Sequence, residues 1–435
     1  MSWKGIYKSK LKAAEEAVGV VKSGDRVVFA HAAGESQTLS NALMGRANEL
    51  HDVEIVHMVA LGPAEYCKPG MEKHFRHNSL FVGGTTREAV NSGQADFTCC
   101  FFSEIPRLFR DRILPVDVAF VHLSPPDEHG FMSFGISVDY TKVSAECAST
   151  VIAAVNPNMP RTLGDCFIHV SEVESIVETE EQIIEIPLPR IGEVEQAIGE
   201  HVAALIENGS TLQLGIGAIP DAVLLFLKEK KDLGIHTEMF SDGVVELVEQ
   251  GVVTNKAKSF HRGKMIATFL MGSRRLYDFV SNNPQVEMHT VDYTNDPFNI
   301  SRNDLMVSIN SALQVDLTGQ ICADTIGYRQ YSAVGGQVDF VRGSGRSRKG
   351  KSVIALPSTA SGGKMSRIVA ALTEGAAVTT SRNDVHYVVT EYGAVDLRGK
   401  TVKQRAELLV SIAHPDFRHE LMEEAKNKRT IILNG

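Results

Sequence analysis

The sequence predicts an α/β protein made of two similar open α/β domains related by internal duplication. Three observations predict it. Apolar, β-branched runs alternate with stretches of helical periodicity. That pattern occurs twice in the same order. The length of 435 residues also exceeds one ordinary core, at roughly 150 residues per domain.

The runs Val27-Val28-Phe29, Val53-Glu54-Ile55-Val56 and Val151-Ile152-Ala153-Ala154-Val155 suit strands of a mostly parallel sheet covered on both faces. Ser23-Gly24-Asp25-Arg26-Val27-Val28-Phe29-Ala30 follows a helical pattern formed by Ala14, Ala17, Val18 and Val21. Asn208-Gly209-Ser210-Thr211-Leu212-Gln213-Leu214-Gly215 follows another, formed by Val194, Ala197, Ile198, Val202, Leu205 and Ile206. Residues 53–58 then answer residues 234–239. Ala119-Phe120-Val121-His122, ahead of Asp127-Glu128-His129-Gly130, answers Val307-Ser308-Ile309-Asn310 ahead of Asp316-Leu317-Thr318-Gly319. Residues 151–155 answer 353–357. The two prolines of Glu185-Ile186-Pro187-Leu188-Pro189 break both ladder and helix, which sets the domains at residues 1–186 and 190–435. Ligands of open α/β sheets bind outside the carboxyl ends of the strands, so the active site is expected in the cleft between the two domains.

Composition narrows the class. A hydrophobic fraction of 43%, 22% charged residues, 36 glycines and one tryptophan match a globular α/β enzyme and oppose disorder. A formal charge of −9 opposes nucleic acid, whose phosphates require a clustered basic face. Cys67, Cys99, Cys100, Cys147, Cys166 and Cys322 show no CxxC or zinc-type spacing, so reduced thiols are expected, with no metal site and no disulfide framework. The start, Met1-Ser2-Trp3-Lys4-Gly5-Ile6, lacks the apolar core of a signal peptide, and no run reaches the roughly 18 apolar residues of a membrane span. A cytoplasmic protein without a membrane partner is expected. A symmetric homo-oligomer, dimer or tetramer, is the default.

Two adjacent segments carry the most chemistry. Leu214-Gly215-Ile216-Gly217-Ala218-Ile219-Pro220 reads as a strand end, a Gly-x-Gly turn and a helix start, with Pro220 suited to the first helical position. Backbone N–H groups there can hold an oxyanion or a phosphate. A tight turn that lets the helix pack closely is the other reading, and without a third glycine the segment is no dinucleotide fingerprint. Glu238 closes the next strand, and in a right-handed βαβ unit the carboxyl end of that strand lies beside the glycine turn. A surface glutamate is the plain alternative. Ser241-Asp242-Gly243 is expected to cap the following helix.

Val334-Gly335-Gly336-Gln337-Val338-Asp339-Phe340 puts two glycines ahead of an extended apolar pair, as a plain turn or as a close backbone approach to a ligand. Arg342, Arg346, Arg348, Lys349 and Lys351 follow in a Gly/Ser-rich stretch. A solvated, mobile loop is the preferred reading over contact with phosphates. His129, in Ser124-Pro125-Pro126-Asp127-Glu128-His129-Gly130, is read as part of a turn, since no Cys or Ser nucleophile is spaced to use it as a base. His31, Met58 and Gln213 stand at strand ends and are candidates for a substrate pocket, with core packing or a satisfied polar contact as the alternative.

Together with Ile309-Asn310-Ser311-Ala312-Leu313-Gln314-Val315-Asp316 and Tyr387-Val388-Val389-Thr390-Glu391-Tyr392-Gly393, these segments make the chain resemble the acetyl-CoA hydrolase/transferase family of class I CoA-transferases over essentially its whole length. The resemblance implies that Glu238 forms a glutamyl–CoA thioester. It also implies that Gly215, Ile216, Gly217, Ala218, Ile219, Leu313 and Gly336 contact coenzyme A, which is a substrate and not a prosthetic group. Its implied partners are acyl-CoA and short-chain carboxylates such as 4-hydroxybutyrate, butyrate or acetate. An acyl-CoA hydrolase using the same residues is the enzymatic alternative, and a CoA-responsive binding protein without turnover is the alternative of another class.

Overall fold

The computed structural model describes residues 2–429, arranged in two compact units. The first joins Met1–Pro187 to Ile266–Thr294, and the second joins Leu188–Met265 to Asn295–Gly435.

The first unit holds a seven-stranded sheet in the spatial order Asp96–Phe97, Phe75–Ser79, Val53–His57, Arg26–Phe29, Val118–Leu123, Thr150–Val155, Ser175–Glu178. Every pairing is parallel. All six residues of Val118–Leu123 are buried, as a central strand with both faces covered must be. Val27, Phe29, Leu39, Ile55, Phe120 and Ile152 belong to one apolar cluster, the core of this unit.

Residues 266–294 return to the first unit, whereas a division at 186/190 runs the second half on without a break. Ser137 bridges Phe269, Gly164 bridges Met288, and an Arg110–Asp292 ion pair closes the join. Gly164 has φ +115°, and a Cβ there would stand 2.4 Å from the Met288 carbonyl oxygen, so the bridge needs glycine. Nothing in the hydrophobic pattern of Met265-Ile266-Ala267 marks it as belonging elsewhere.

The second unit has a six-stranded sheet in the order Gly234–Ile235, Thr211–Leu214, Met306–Ser311, Lys351–Ala355, Tyr387–Thr390, Gly393–Asp396. Only the last pairing is antiparallel. In both sheets the strand that comes second in the chain lies beside the first, and a later strand, Val118–Leu123 in one and Met306–Ser311 in the other, lies on the first strand's other side. The duplication read from sequence is present in that arrangement, and the first sheet adds Phe75–Ser79 and Asp96–Phe97 beyond its second strand. One detail differs. Phe29 pairs with Phe120 and Leu214 pairs with Ile309, which equates Phe120 with Ile309, whereas the sequence match set Val121 against Ile309. Strands buried on both faces lose the in/out alternation that would fix register.

The helix Glu193–Ala204 precedes Thr211–Leu214, as its periodicity predicts, and buries Ile198, Gly199, Val202 and Ala203. A Cβ on Gly199 would lie 2.8 Å from the Ala222 backbone carbon. The two helices therefore touch backbone to backbone, which fixes the helix Ala218–Leu225 that starts at the glycine turn. Among the described residues no helix is long and apolar enough to cross a membrane.

Candidate active site

Thr211–Leu214 ends and the chain turns through Gly215, Ile216 and Gly217 into the helix Ala218–Leu225. Gly217 occupies the N-cap position with φ +118°, a conformation that L side chains rarely adopt. Gly215 has no such need, and a Cβ on either glycine would meet no atom within 4 Å. The close-packing alternative therefore fails here: the space in front of the turn is open, and Ile216 is 37% exposed. Pro220 stands at the third helical position and not the first, still inside the turn that needs no N–H donor. The N-terminus of this helix favours an anion.

Glu238 lies just past the strand Gly234–Ile235, in a bend and not within the strand. Thr237 secures the bend: its Oγ1 accepts from the Leu214 N–H at 3.3 Å and donates to the Met239 carbonyl at 2.7 Å. Glu238 is thus one residue from a direct tie to the end of the strand that enters the glycine turn. The short edge strand is braced from outside, where Asn255 Oδ1 accepts from the Ile235 N–H at 2.9 Å and the buried Lys258 donates to the Ile235 carbonyl at 2.7 Å. Ser241 does not cap the next helix with its side chain. Its hydroxyl donates to Asp221 Oδ1 at 2.8 Å. Burial raises the Asp221 pKa, with Asp242 adding to the rise and Ser241 opposing it.

Two residues stand against Oε2 of Glu238. Asn295, fully buried, donates from Nδ2 to Glu238 Oε2 at 2.8 Å. On the other side a Cβ on Gly336 would fall 1.9 Å from that same Oε2, so only glycine leaves the carboxylate room. Asn295 escapes sequence reasoning because Asn295-Asp296-Pro297 reads as a helix start. Asp296 does cap Pro297–Ser301, accepting from the Phe298 N–H at 2.8 Å, and that local role conceals its neighbour.

The Gly335-Gly336 segment differs from expectation in form. The residues after it are not extended but make the helix Gln337–Arg346, with Gly336 as N-cap. Arg342 and Arg346 sit on this helix, Arg348 pairs with Asp304, and Lys351 opens a strand and pairs with Glu207 at 2.9 Å. The Gly/Ser content that suggested a mobile loop serves packing instead. A Cβ on Gly343 would meet Ile300 at 2.5 Å, and Ser344 is buried.

The remaining candidates divide between the units. Leu313 follows the carboxyl end of Met306–Ser311, its N–H donating to the Cys322 carbonyl at 2.8 Å. Gln213 is buried and its Oε1 accepts from Asn310 Nδ2 at 3.1 Å, a satisfied polar contact inside the second sheet. His31 and Met58 belong to the first unit and are buried there. His31 Nδ1 is 3.3 Å from Asp139 Oδ2, its ring 4.4 Å from that of Phe269, and the Met58 N–H donates to Tyr140 Oη at 3.2 Å. His129 stands in an exposed turn. Among the described residues no cluster of His, Cys, Asp or Glu is arranged to hold a metal ion.

The glycine turn at the start of Ala218–Leu225 and the Glu238 carboxylate held by Asn295 belong to one unit, and the chain matches known proteins over nearly its whole length. Residues 1–187 match the acetyl-CoA hydrolase/transferase N-terminal domain and residues 272–425 the acetyl-CoA hydrolase/transferase C-terminal domain. The chain belongs to the acetyl-CoA hydrolase/transferase family. It is 60% identical over 428 residues to the 4-hydroxybutyrate coenzyme A transferase of Clostridium kluyveri, covering 98% of this chain and 100% of that one. It is 40% identical to the butyryl-CoA:acetate CoA-transferase of Anaerostipes caccae, covering 98% of each. Among solved structures, RipA from Yersinia pestis superposes with a TM-score of 0.95 at 37% identity, covering 99% of this chain and all of RipA.

Proposed function

We propose that this protein is a CoA-transferase that moves coenzyme A between an acyl-CoA and a short-chain carboxylate, with Glu238 as its nucleophile. The observation that carries the role of Glu238 is the placement of its Oε2: Asn295 holds that oxygen and Gly336 makes room for it. Oε1 adds to the thioester carbonyl, the C–S bond breaks, and CoA thiolate leaves a mixed anhydride of the acyl group and Glu238. The thiolate then attacks the Glu238 carbonyl carbon. The C–O bond to the acyl group breaks, releasing the acid as its carboxylate and leaving a glutamyl–CoA thioester.

An incoming carboxylate reverses these steps and departs as a new acyl-CoA, with Glu238 regenerated. Each attack on the Glu238 carbon puts negative charge on Oε2, the atom that Asn295 already faces, so the donor is in place before charge develops. The open turn at Gly215 to Ile219, with Leu313 and Gly336, is the proposed seat of coenzyme A. Thioester energy is conserved as long as water stays out. Within the class, 4-hydroxybutyrate or butyrate with acetate is the proposed substrate set, with Gln213, in the strand that enters the glycine turn, as the proposed determinant of acyl preference.

Mass spectrometry tests the covalent step. The protein incubated with acyl-CoA and no acceptor is expected to gain a CoA-sized mass that maps to Glu238. Glu238→Ala is expected to gain none and to lose turnover while still binding CoA. A wild-type protein that turns over but never carries the adduct under trapping conditions would remove the mechanism. Thiol release that needs no added acid would move the assignment from transferase to hydrolase.

A further inference from the structure

We propose that the second unit carries a separate anion pocket that takes a multiply charged phosphate compound, of the class of nucleoside triphosphates and tripolyphosphate. A cavity of about 460 Å³ is lined by Arg342, Arg346, Arg398 and Arg405, with Asp384 as its one carboxylate. The volume is that of a small-molecule site, about 300 to 1,000 Å³. Four guanidinium groups against one carboxylate is an unusual concentration in a chain of net charge −9.

Two of the four arginines, both exposed, lack a carboxylate partner among the described residues. Asp384 reaches only Arg342, at 3.4 Å. Arg346 and Arg398 are exposed and have no carboxylate partner among the described residues, while Arg107, Arg274 and Arg348 elsewhere each have one. Arg405 is held by backbone carbonyls, those of Thr318 at 3.1 Å and Arg382 at 2.6 Å, and burial together with the Arg382 charge lowers its pKa. His386, next to Val385 of the lining, is pushed down to about 4, by burial first and then by Arg398, and adds no charge of its own at neutral pH. Like charges fixed around a cavity are relieved by an anion, and planar guanidinium forks match phosphate oxygens in pairs.

Topology separates this pocket from the Glu238 site. Glu238 and Gly336 stand at the carboxyl ends of the parallel strands. Tyr387 pairs with Asp396, so Asp384 and Arg398 both lie beyond the amino end of Tyr387–Thr390. The helix that begins after Gly336 reaches Arg346 at its far end, roughly 15 Å away at 1.5 Å per residue. The inference does not depend on Glu238 being the nucleophile.

Calorimetric titration with tripolyphosphate, and separately with metal-free ATP, tests it on the full chain. Saturable binding of one anion per chain is expected. In the double variant Arg346→Ala/Arg398→Ala the dissociation constant should rise by at least about tenfold, with circular dichroism and the KM for acyl-CoA unchanged. Equal affinity for the two probes would assign recognition to the phosphate chain, and tighter ATP binding would add the nucleoside. No saturable binding, or wild-type affinity in the variant, would overturn the pocket. A KM for acyl-CoA that rises in step with the loss of anion binding would put these arginines on the path of coenzyme A and overturn their separateness.

Discussion

The two sheets share the arrangement of strands around their first strand, and their carboxyl edges are finished in opposite ways. In the first unit Arg26–Phe29 leads into His31-Ala32-Ala33-Gly34, all buried. Ala32 takes φ +54°, and a Cβ on Gly34 would lie 2.4 Å from Ser137 Cβ. The edge is packed with the protein's own polar groups, among them His31, Glu35, His57, His77 and His122. In the second unit the equivalent turn at Gly215 to Gly217 faces open space and starts a helix. A duplicated scaffold offers the same edge twice, and the residues that follow its first strand decide which copy is filled by protein and which is left open.

The variants that strike the open edge hardest are those at Glu238. Glu238→Gln keeps the shape of the side chain and removes its nucleophilic oxygen, so kcat should fall by about 10⁴-fold or more, read in a donor-plus-acceptor assay. Activity near wild type would show that the open edge is not where chemistry occurs. Gly336→Ala comes next. Its methyl cannot coexist with Oε2 at 1.9 Å, and moving the carboxylate also breaks its bond to Asn295, for an expected loss of about 10³-fold. Asn295→Ala removes one donor and should lower kcat by about 10²-fold, with the KM for acyl-CoA little changed. A loss confined to KM would make Asn295 a binding residue and not the holder of developing charge.

Legibility followed the length scale of each signal. The two α/β lobes and the helix before each first strand rest on patterns of ten or more residues, and both stand in the structure. Register failed because Val118–Leu123 is buried on every residue and alternation falls silent there. The helix at Gln337–Arg346 was hidden by glycines and serines that look flexible in sequence but face Ile300 and the core. Asn295 was hidden by distance: its partner lies 57 residues away, and no local pattern announces a contact of that kind. The return of residues 266–294 to the first unit was hidden for the same reason.

The filled edge should betray itself through pH. Glu35 is buried, accepts from the Gly62 N–H at 3.2 Å, and is raised to about 7, chiefly by burial and further by Glu181, with Gly62 and Gln37 opposing. Its unfolded value is that of an ordinary carboxyl, 4.5. Between those two values the folded state holds a proton that the unfolded state has lost, so this group makes stability fall as pH rises through the window from 4.5 to 7. Below the window it contributes nothing to the pH dependence, and above it the cost is on the order of 3 kcal/mol. The buried His57, His77 and His122 act with the opposite sign, because burial lowers their pKa values and folding then disfavours their charged forms at low pH. The contribution of Glu35 is therefore isolated as a difference between proteins. Glu35→Gln keeps an oxygen for the Gly62 N–H and cannot ionise, so its denaturation midpoint relative to wild type should improve from pH 5 to about pH 7 and level off above it. Parallel pH curves for the two proteins would mean that Glu35 is charged in the fold, and that the first edge is wetter than its packing implies.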